Sequence, residues 1–569
     1  MPPSDLDTLL QAAARLGPAA FAGATGGLDA SPAAGTLAEA MTHLLREHPE
    51  AVQRALTGFY EAQRLLWEHH AGQADPTASP RPPSSQWTNA PWFRFLREQH
   101  AIWARLADDL AGLASPSDVA GRRFAFALRQ AVDASHPDNF FATNPEALRR
   151  AIDSGGESVR RGLENLRHDL ARGQITRSDA TALAVGRDLA VTPGAVIHET
   201  AVAQVIQYRP MTGHVHPRPL LIVPPFINRH YILDLRPENS FVRFAVSRGF
   251  QVFLVSWRSA TEATAAATWD DYLRHGVMDA LAVALDVTGA RRASLLGHCV
   301  GGTLAATAAA VLAARGDRRL ASLTLLTTLL DFEAPGELGL FVDPAQADVW
   351  RETPGVVAGT QLAAAFASLR ARELVWHFVE RNYLFGETPP VMDLLHWNGD
   401  PLDIPAPLLG QYLRTTYLDN ALARPAAARC LDTPVDFGGV DVPAYALAAR
   451  RDHIVPWASA YRSALLLGGA CRFVLSGGGH VAGVVDPPGP QARGWVGGDA
   501  IAPTPEEWLH GNTVSRSSWW EDWARWLARH AGRRRPAPTV CGNLRHPPLA
   551  AAPGCFAPRR VQGQAPAAG

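Results

Sequence analysis

Apolar and polar positions alternate along this chain with two different periods, and the change between them divides the sequence. Over residues 36–70 the apolar side chains recur every three or four positions, which is typical of amphipathic helices. The same period continues over 86–113 and 121–189. We therefore predict an all-helical domain over residues 1–190, with a flexible linker at about 71–85, where Pro, Ser and Ala predominate.

After residue 199 short apolar runs with strand character replace the helical period. Five such runs are found in order, at 201–208, 219–224, 251–256, 293–297 and 321–327. The last four are apolar on both faces and alternate with helical stretches. Strands of this kind indicate a mostly parallel sheet that is buried on both sides by helices. The predicted fold class is α/β, with a doubly wound sheet preceded by the helical domain.

A nucleophile motif follows the fourth run, where residues 297–302 have the pattern G-x-C-x-G-G and a helical stretch follows at once. Glycines two positions before and after a reactive side chain permit the sharp strand-to-helix turn called a nucleophile elbow. We predict Cys299 as the nucleophile and the Val300 N–H as the first oxyanion donor. The loop one strand away supplies the second, from the backbone near Phe226 and Ile227; we assign it to Ile227. The alternative is a small buried cysteine in ordinary glycine-rich packing.

Acid and base candidates follow further along the chain. Asp452 comes just after the strand-like stretch 443–449, and His480 comes in a glycine-rich loop after 472–476. Open α/β sheets carry their chemistry at the carboxyl ends of strands, and the order Cys, Asp, His is that expected of α/β-hydrolases. We predict Asp452 and His480 as catalytic partners of Cys299. Taken alone, an Asp before a proline-containing turn is more often a turn former.

The distance along the chain between nucleophile and acid indicates an insertion. Asp452 follows Cys299 by 153 residues, whereas two strand–helix–strand steps need roughly 60 to 80. We predict that residues 332–436 form a cap within a catalytic domain of residues 191–535, or else an accessory subdomain without a gating role. Residues 536–569, rich in Pro and Ala, are predicted to be a loosely ordered tail.

Composition removes several classes of function. The formal net charge is −1, which suggests neither nucleic acid nor an anionic membrane as a partner. The five cysteines are widely spaced and form no C-x-x-C pair, so the pattern favours neither a metal site nor a disulfide framework. Residues 1–7 have no signal-peptide character, and no apolar run reaches about 18 residues. We expect a cytosolic, soluble protein, or one bound to a surface by other means.

Longer motifs give the chain a specific resemblance. Eight strings carry it, at 138–147 (DNFFATNPEA), 189–194 (LAVTPG), 224–235 (PPFINRHYILDL), 255–258 (VSWR), 297–303 (GHCVGGT), 394–400 (LLHWNGD), 452–457 (DHIVPW) and 479–485 (GHVAGVV). On these strings the chain resembles the class I polyhydroxyalkanoate (poly-3-hydroxybutyrate) synthases of the α/β-hydrolase superfamily, from about residue 86 to 556. It departs from the usual family pattern at three places: His298 replaces Tyr, Arg229-His230 replaces Lys-Tyr, and Cys555-Phe556 replaces Ser-Tyr.

The resemblance implies a chemistry and a setting. The family's nucleophilic Cys falls on Cys299, and its catalytic Asp and His fall on Asp452 and His480. It implies an acyltransferase that joins (R)-3-hydroxyacyl-CoA units of short chain length, such as 3-hydroxybutyryl-CoA, into a polyester and releases CoA. It further implies no cofactor or metal, a homodimer, and attachment to polyester granules in the cytoplasm. His298 either alters the electrostatics of the thiol or serves as a turn residue.

Two other hypotheses stay open at this point. A cysteine esterase or thioesterase would have the same three residues but would admit water to the acyl group. A granule-coating protein without catalytic activity would not need the three residues at all. Replacement of Cys299 distinguishes the two: the esterase or thioesterase would lose its activity, whereas the granule-coating protein would keep every property of the parent.

Overall fold

The computed structural model describes residues 32–71, 90–115, 118–179, 181–499 and 501–557, with the backbone alone for residues 32–39. These residues form two compact units. The first comprises the described residues up to 179 together with 360–390, and the second comprises 180–359 and 391 onward.

Helices are the only regular secondary structure among the described residues of the first unit. Its α-helices up to residue 179 are Pro32–Glu47, Pro49–Ala71, Pro91–Leu113, Val119–Ala134, Pro145–Asp153 and Glu157–Arg172. A small apolar core joins the first four, formed by Leu44, Val52, Leu106, Leu110, Phe124 and Leu128. Apolar side chains spaced three or four residues apart face this core, as the helical period predicts. Of the predicted linker at about 71–85, only Ala71 is described, as the last residue of a helix. Residues 72–85 lie outside the described residues.

Residues 360–390 pack with the helices of this first unit. The segment contains two π-helical stretches, Arg372–Trp376 and Val379–Leu384. Its acidic side chains bond to the unit's helices: the Glu380 carboxylate accepts from Asn144 at 2.9 Å, and the Glu387 carboxylate accepts from Arg150 at 2.6 Å. The predicted cap at 332–436 is thus divided, because only its flanking parts belong to the second unit.

The second unit is built on one sheet of eleven strands. In chain order they are β1 Gly194–Glu199, β2 Ala203–Tyr208, β3 Leu220–Val223, β4 Val252–Trp257, β5 Ala293–His298, β6 Leu320–Leu326, β7 Ala444–Ala449, β8 Cys471–Ser476, β9 Trp495–Gly498, β10 Val514–Ser515 and β11 Ala550–Ala551. Their order across the sheet is β10-β9-β8-β7-β6-β5-β3-β4-β2-β1-β11. The six strands from β8 to β4 run parallel, and both flanks continue antiparallel. The α/β prediction is confirmed.

Helices follow most of the parallel strands in the second unit. They are Phe241–Ser247, Trp269–Asp271 continuing through the π-helical Tyr272–Met278 to Asp279–Thr288, Val300–Ala314, Pro344–Glu352, Asp393–Asn398, Ala406–Leu413, Trp457–Leu465, Pro505–His510 and Trp519–His530. The helix Gly359–Ser368 belongs to the first unit in all but its first residue. Every residue of β3, β4 and β5 is buried, as expected for strands covered on both faces. Trp519, Trp520 and Trp523 of the last helix are buried in the same core.

The segment after residue 535 differs from the prediction. Where the sequence predicts a loosely ordered tail over residues 536–569, residues 536–557 pack within the second unit, and the rest of that stretch lies outside the described residues. Ala550 and Ala551 pair with β1, and the side chains of Cys541 and Phe556 are buried. The Pro and Ala content of the segment suggested disorder. An edge strand is held mainly by backbone hydrogen bonds to its partner strand, so its own side chains are a poor guide to whether it forms.

None of the helices in the described part of the chain combines the length and the apolar character that crossing a bilayer requires.

Candidate active site

The turn between β5 and the helix Val300–Ala314 has the geometry of a nucleophile elbow. Cys299 has φ 54° and ψ −129°, in a region that residues with a side chain rarely occupy. The flanking glycines explain why the turn can be so tight. A Cβ on Gly297 would lie 2.4 Å from the Gly302 Cα, and a Cβ on Gly301 would lie 2.4 Å from the Val223 carbonyl oxygen. No larger residue fits at either place without moving backbone.

Backbone hydrogen bonds hold Cys299 between the sheet and the helix. Its N–H donates to the Leu326 carbonyl of β6 at 2.9 Å, and its carbonyl accepts from Gly302 at 2.8 Å. The side chain is partly exposed. Val300 is the first helical residue, so its N–H has no acceptor within the helix and points toward the N-terminal end. The helix dipole adds a partial positive charge at the same place.

Asp452 lies at the carboxyl end of β7, in a turn that uses one oxygen of its carboxylate. Oδ1 accepts from the N–H groups of Ile454 and Val455, each at 2.8 Å. Oδ2 lies 2.7 Å from Nδ1 of His480. The side chain is entirely buried. Asp452 is therefore both the turn former that its context suggests and a hydrogen-bond partner of His480.

His480 lies between Asp452 and Cys299. It follows β8, is almost fully buried, hydrogen-bonds to Asp452, and is close enough to Cys299 for that sulfur to act on its pKa. Burial lowers the pKa of His480, but the Asp452 carboxylate and the charge on Cys299 outweigh it and hold the pKa well above its usual value. The structure thus brings together the three residues predicted from the sequence, with the imidazole in the middle.

The loop after β3 lies beside the elbow, as predicted. β3 pairs with β5, with Val223 opposite Gly297, and the Pro224 carbonyl accepts from the Trp257 indole at 2.8 Å. The Ile227 carbonyl accepts from the Leu402 N–H at 2.8 Å, so this loop is fixed on both sides. The assignment of the Ile227 N–H as an oxyanion donor stays a prediction.

Comparisons with known proteins agree with this geometry. Residues 79–245 match the family model described as the N-terminus of poly-beta-hydroxybutyrate polymerase, and residues 219–487 match the alpha/beta hydrolase fold. The poly(3-hydroxyalkanoate) polymerase subunit PhaC of Cupriavidus necator is 45% identical, over 89% of this chain and 87% of its own. The chain belongs to the poly(3-hydroxyalkanoate) polymerase family. Members from Methylorubrum extorquens and Rhizobium meliloti are 37% and 38% identical, each over 89% of this chain and over 87% and 85% of their own.

The polymerase has an aromatic cluster near its nucleophile that sequence reasoning missed. Tyr412 stacks on Trp269, with 5.5 Å between ring centroids and 9° between planes. Phe226 and Phe332 meet the Tyr412 ring edge-on at 6.4 and 6.1 Å. Tyr417 adds a second phenol at 6.0 Å from the first. The sequence predicts only Phe226 at the site, and for its backbone; the other rings come from three further segments of the chain, which no local pattern connects.

His298 is the other residue whose place the sequence left open in this polymerase. It is buried at the end of β5, and both of its ring nitrogens are without a hydrogen-bond partner. Burial lowers its pKa to about 3, with a smaller contribution from the charge on His480. The ring is therefore neutral at ordinary pH.

Proposed function

We propose that Cys299, His480 and Asp452 are the catalytic triad of an acyltransferase that joins (R)-3-hydroxyacyl-CoA units, such as 3-hydroxybutyryl-CoA, into a polyester. One observation carries the proposal. Nδ1 of the His480 imidazole lies 2.7 Å from the Asp452 carboxylate, and the same ring interacts with the Cys299 thiol at the nucleophile elbow. That arrangement is what nucleophilic catalysis with an oriented base requires.

In the first half-reaction the Cys299 sulfur gives its proton to His480 and attacks the acyl carbonyl carbon of the CoA thioester. A new C–S bond forms, and the carbonyl oxygen carries the negative charge. The N–H groups of Val300 and Ile227 would stabilise that charge. When the C–S bond to CoA breaks, the CoA sulfur takes the proton from His480. The acyl group remains on Cys299 as a thioester.

In the second half-reaction a hydroxyl group from a chain end or a further acyl unit attacks the acyl-Cys299 carbonyl. His480 takes the hydroxyl proton as the C–O bond forms, and the C–S bond to Cys299 breaks. The raised pKa of His480 favours this proton uptake, because Asp452 stabilises the imidazolium. The products are a chain longer by one unit and a free thiolate facing an imidazolium.

A cysteine suits this reaction better than a serine because thioester exchange keeps the acyl group activated for the next transfer. No cofactor is needed for either step. Water is the competing nucleophile, so a site that excludes water favours polymer over free acid. The aromatic cluster of Phe226, Trp269, Phe332 and Tyr412 supports such a site.

The setting of the reaction belongs to the same proposal. We infer attachment to the polyester granule, with the helical unit taking part, and a homodimeric, cytoplasmic enzyme. The helical unit supports the first point, because several of its large apolar side chains are at least half exposed. They include Leu45, Tyr60, Leu65, Trp67 and Trp92.

The deciding experiment is incubation of the purified protein with (R)-3-hydroxybutyryl-CoA, following thiol release and turbidity together. Cys299→Ser, Asp452→Asn and His480→Gln should each reduce polymer formation by about a thousandfold or more. Cys555→Ser is the matched control, because Cys555 is exposed and accepts a hydrogen bond from the Gln204 amide at 3.2 Å, away from the three residues. It should keep the parent's rate.

Two results would contradict the proposal. Release of CoA and free hydroxy acid in equal amounts, without insoluble polymer, would identify a cysteine thioesterase instead. Parental turnover in any one of the three variants would remove that residue from the mechanism.

A further inference from the structure

A π-helical turn brings two tyrosines onto one face beside the nucleophile. The α-helix Ala406–Leu413 continues into the π-helix Arg414–Leu418, in which the Asp419 N–H donates to the Arg414 carbonyl. Five residues of an α-helix turn through about 500°, which would place residues i and i+5 about 140° apart. A π-helix closes its hydrogen bonds over five residues and aligns such a pair. Tyr412 and Tyr417 are five residues apart and their rings meet at 6.0 Å.

The local hydrogen bonds stabilise the turn that aligns them. The Thr416 hydroxyl donates to the Tyr412 carbonyl at 2.6 Å, a side-chain bond that bends helices. The Tyr412 ring is fixed by its stack on Trp269, and Tyr417 meets Phe332 edge-on at 4.9 Å. Both tyrosines are partly buried, and these ring contacts hold them in place.

The Tyr412 ring contacts Phe226, in the loop after β3, and Phe332, in the loop after β6. These two strands lie on either side of β5, so the tyrosine pair is at the end of the sheet that carries Cys299. Burial raises the pKa of Tyr412 and of Tyr417, and the charge on Cys299 raises both further. The two phenols also interact with each other, with 6.0 Å between their ring centroids. Their interaction raises the pKa of Tyr412 and lowers that of Tyr417, which is the sense expected when the Tyr412 hydroxyl acts as the donor toward Tyr417. The Tyr417 proton is then available for a third group.

We propose that the Tyr412–Tyr417 pair recognises the oxygen on carbon 3 of the acyl group that Cys299 carries, with the Tyr417 hydroxyl as the donor. The proposed function assigns the acyl carbonyl oxygen to backbone donors at the elbow, which leaves the tyrosine hydroxyl for the substrate's other oxygen. Tyr412 acts through Tyr417 and is a positioning residue. The inference rests on the proposed function, since it requires an acyl group on Cys299. It adds a specificity determinant for acyl groups that bear an oxygen at carbon 3.

The experiment compares single-turnover CoA release from (R)-3-hydroxybutyryl-CoA and from butyryl-CoA, which lacks that oxygen. A site that hydrogen-bonds a substrate hydroxyl discriminates strongly against the analogue without it. In Tyr417→Phe the ratio of the two acylation rates should fall by about tenfold or more, while the butyryl-CoA rate changes little. Tyr412→Phe should lower the same ratio less, because it removes the partner and keeps the donor.

Tyr272→Phe is the matched control. Tyr272 meets Phe226 and stacks on Trp257, and burial alone raises its pKa, without a contribution from Cys299. It should leave the rate ratio at the parent value. Thermal melting of each variant confirms that the fold is intact.

Each outcome decides a separate point. An equal slowing of both substrates in Tyr417→Phe would overturn the inference and assign the tyrosine an oxyanion or structural role. An unchanged ratio in both Tyr417→Phe and Tyr412→Phe would overturn it as well. Failure of the parent protein to release CoA in a single turnover, or release that survives Cys299→Ala, would instead overturn the proposed function.

Discussion

The imidazole ring of His298 lies against that of His480, with 5.9 Å between the ring centroids and 26° between the ring planes. Neither nitrogen of His298 has a hydrogen-bond partner, so the ring offers His480 a flat surface and no proton. The neutral state is enforced by burial, which lowers the pKa of His298 to about 3. Whatever His298 contributes to the reaction, we expect it to come from contact with His480.

The stack predicts how replacements of His298 should rank. His298→Ala removes the surface against His480 and should lower turnover by about ten- to a hundredfold, because small displacements of a catalytic group are costly. His298→Phe keeps a flat ring and should stay within a few-fold of the parent. CoA release from (R)-3-hydroxybutyryl-CoA measures both. Equal activity of the two variants would show that the ring contact is irrelevant.

Two buried histidines predict acid sensitivity. Burial lowers the pKa of both His230 and His298 to about 3, from 6.5 in the unfolded chain. Between pH 6.5 and pH 3 each of these histidines is protonated in the unfolded state but not in the folded state. The free energy of unfolding is therefore at its full value above pH 6.5 and falls as the pH drops toward 3. At pH 5 each histidine has lowered it by about 2 kcal/mol. His480 has the opposite sign, since its raised pKa contributes stability that is lost as pH rises.

Melting temperatures at pH 7 and pH 5 test this sensitivity. The His298→Phe variant cannot take up a proton at that position, so the difference between the two melting temperatures should shrink relative to the parent. A difference as large as the parent's would mean that His298 is already protonated, or hydrogen-bonded, in the folded state.

The elbow glycines predict a steric effect on activity. In Gly301→Ala the new Cβ would lie 2.4 Å from the backbone carbonyl oxygens of Val223 and Pro224. A side-chain rotation cannot relieve this clash, because both atoms belong to the backbone. The helix start must move away from the sheet, and Val300 moves with it. We expect activity to fall by about a hundredfold or more. Gly112→Ala is the control, because nothing lies within 4 Å of its added Cβ and Ala favours helix over Gly.

Retention of parental activity by Gly301→Ala would show that the position of Val300 does not matter for catalysis. Loss of activity in Gly112→Ala would show that the assay responds to any glycine replacement.

A buried ion pair predicts a large change in stability. Arg229 and Asp400 are 9% and 6% exposed in their side chains and 3.3 Å apart. The Tyr231 hydroxyl also donates to Asp400, at 3.0 Å. Asp400→Leu leaves the Arg229 charge buried without its counter-charge and should destabilise the protein by about 3–5 kcal/mol. The double variant Arg229→Met, Asp400→Leu should recover most of that loss. Chemical denaturation measures both, and a double variant no more stable than the single one would contradict the argument.

The sequence predicted the central strands and the elbow because both depend on local information. Four runs apolar on both faces indicate buried parallel strands, and glycines around Cys299 indicate a turn that only they permit. Asp452 and His480 each follow a strand, so the edge of a parallel sheet brings them near Cys299 without any knowledge of distant contacts.

The features that escaped prediction depend on non-local or irregular structure. Tyr412 and Tyr417 are five residues apart, a spacing that the α-helical period assigns to different faces. The π-helical turn that aligns them leaves no mark in hydrophobic periodicity. Residues 360–390 join the helical unit through contacts such as Glu380 with Asn144. These residues are far apart in the chain, so a local sequence pattern cannot predict the contact.

The pairing of β11 with β1 has a practical consequence for anyone altering this enzyme. The Leu549 and Ala552 N–H groups donate to carbonyls of Val196 and Gly194, at 2.7 and 3.0 Å. Cutting the chain before residue 549 would uncover the backbone of β1, and a bare strand edge invites other molecules to add to the sheet and precipitate. Purification tags and fusion partners are therefore best joined beyond Ala557, leaving the strand that seals this border in place.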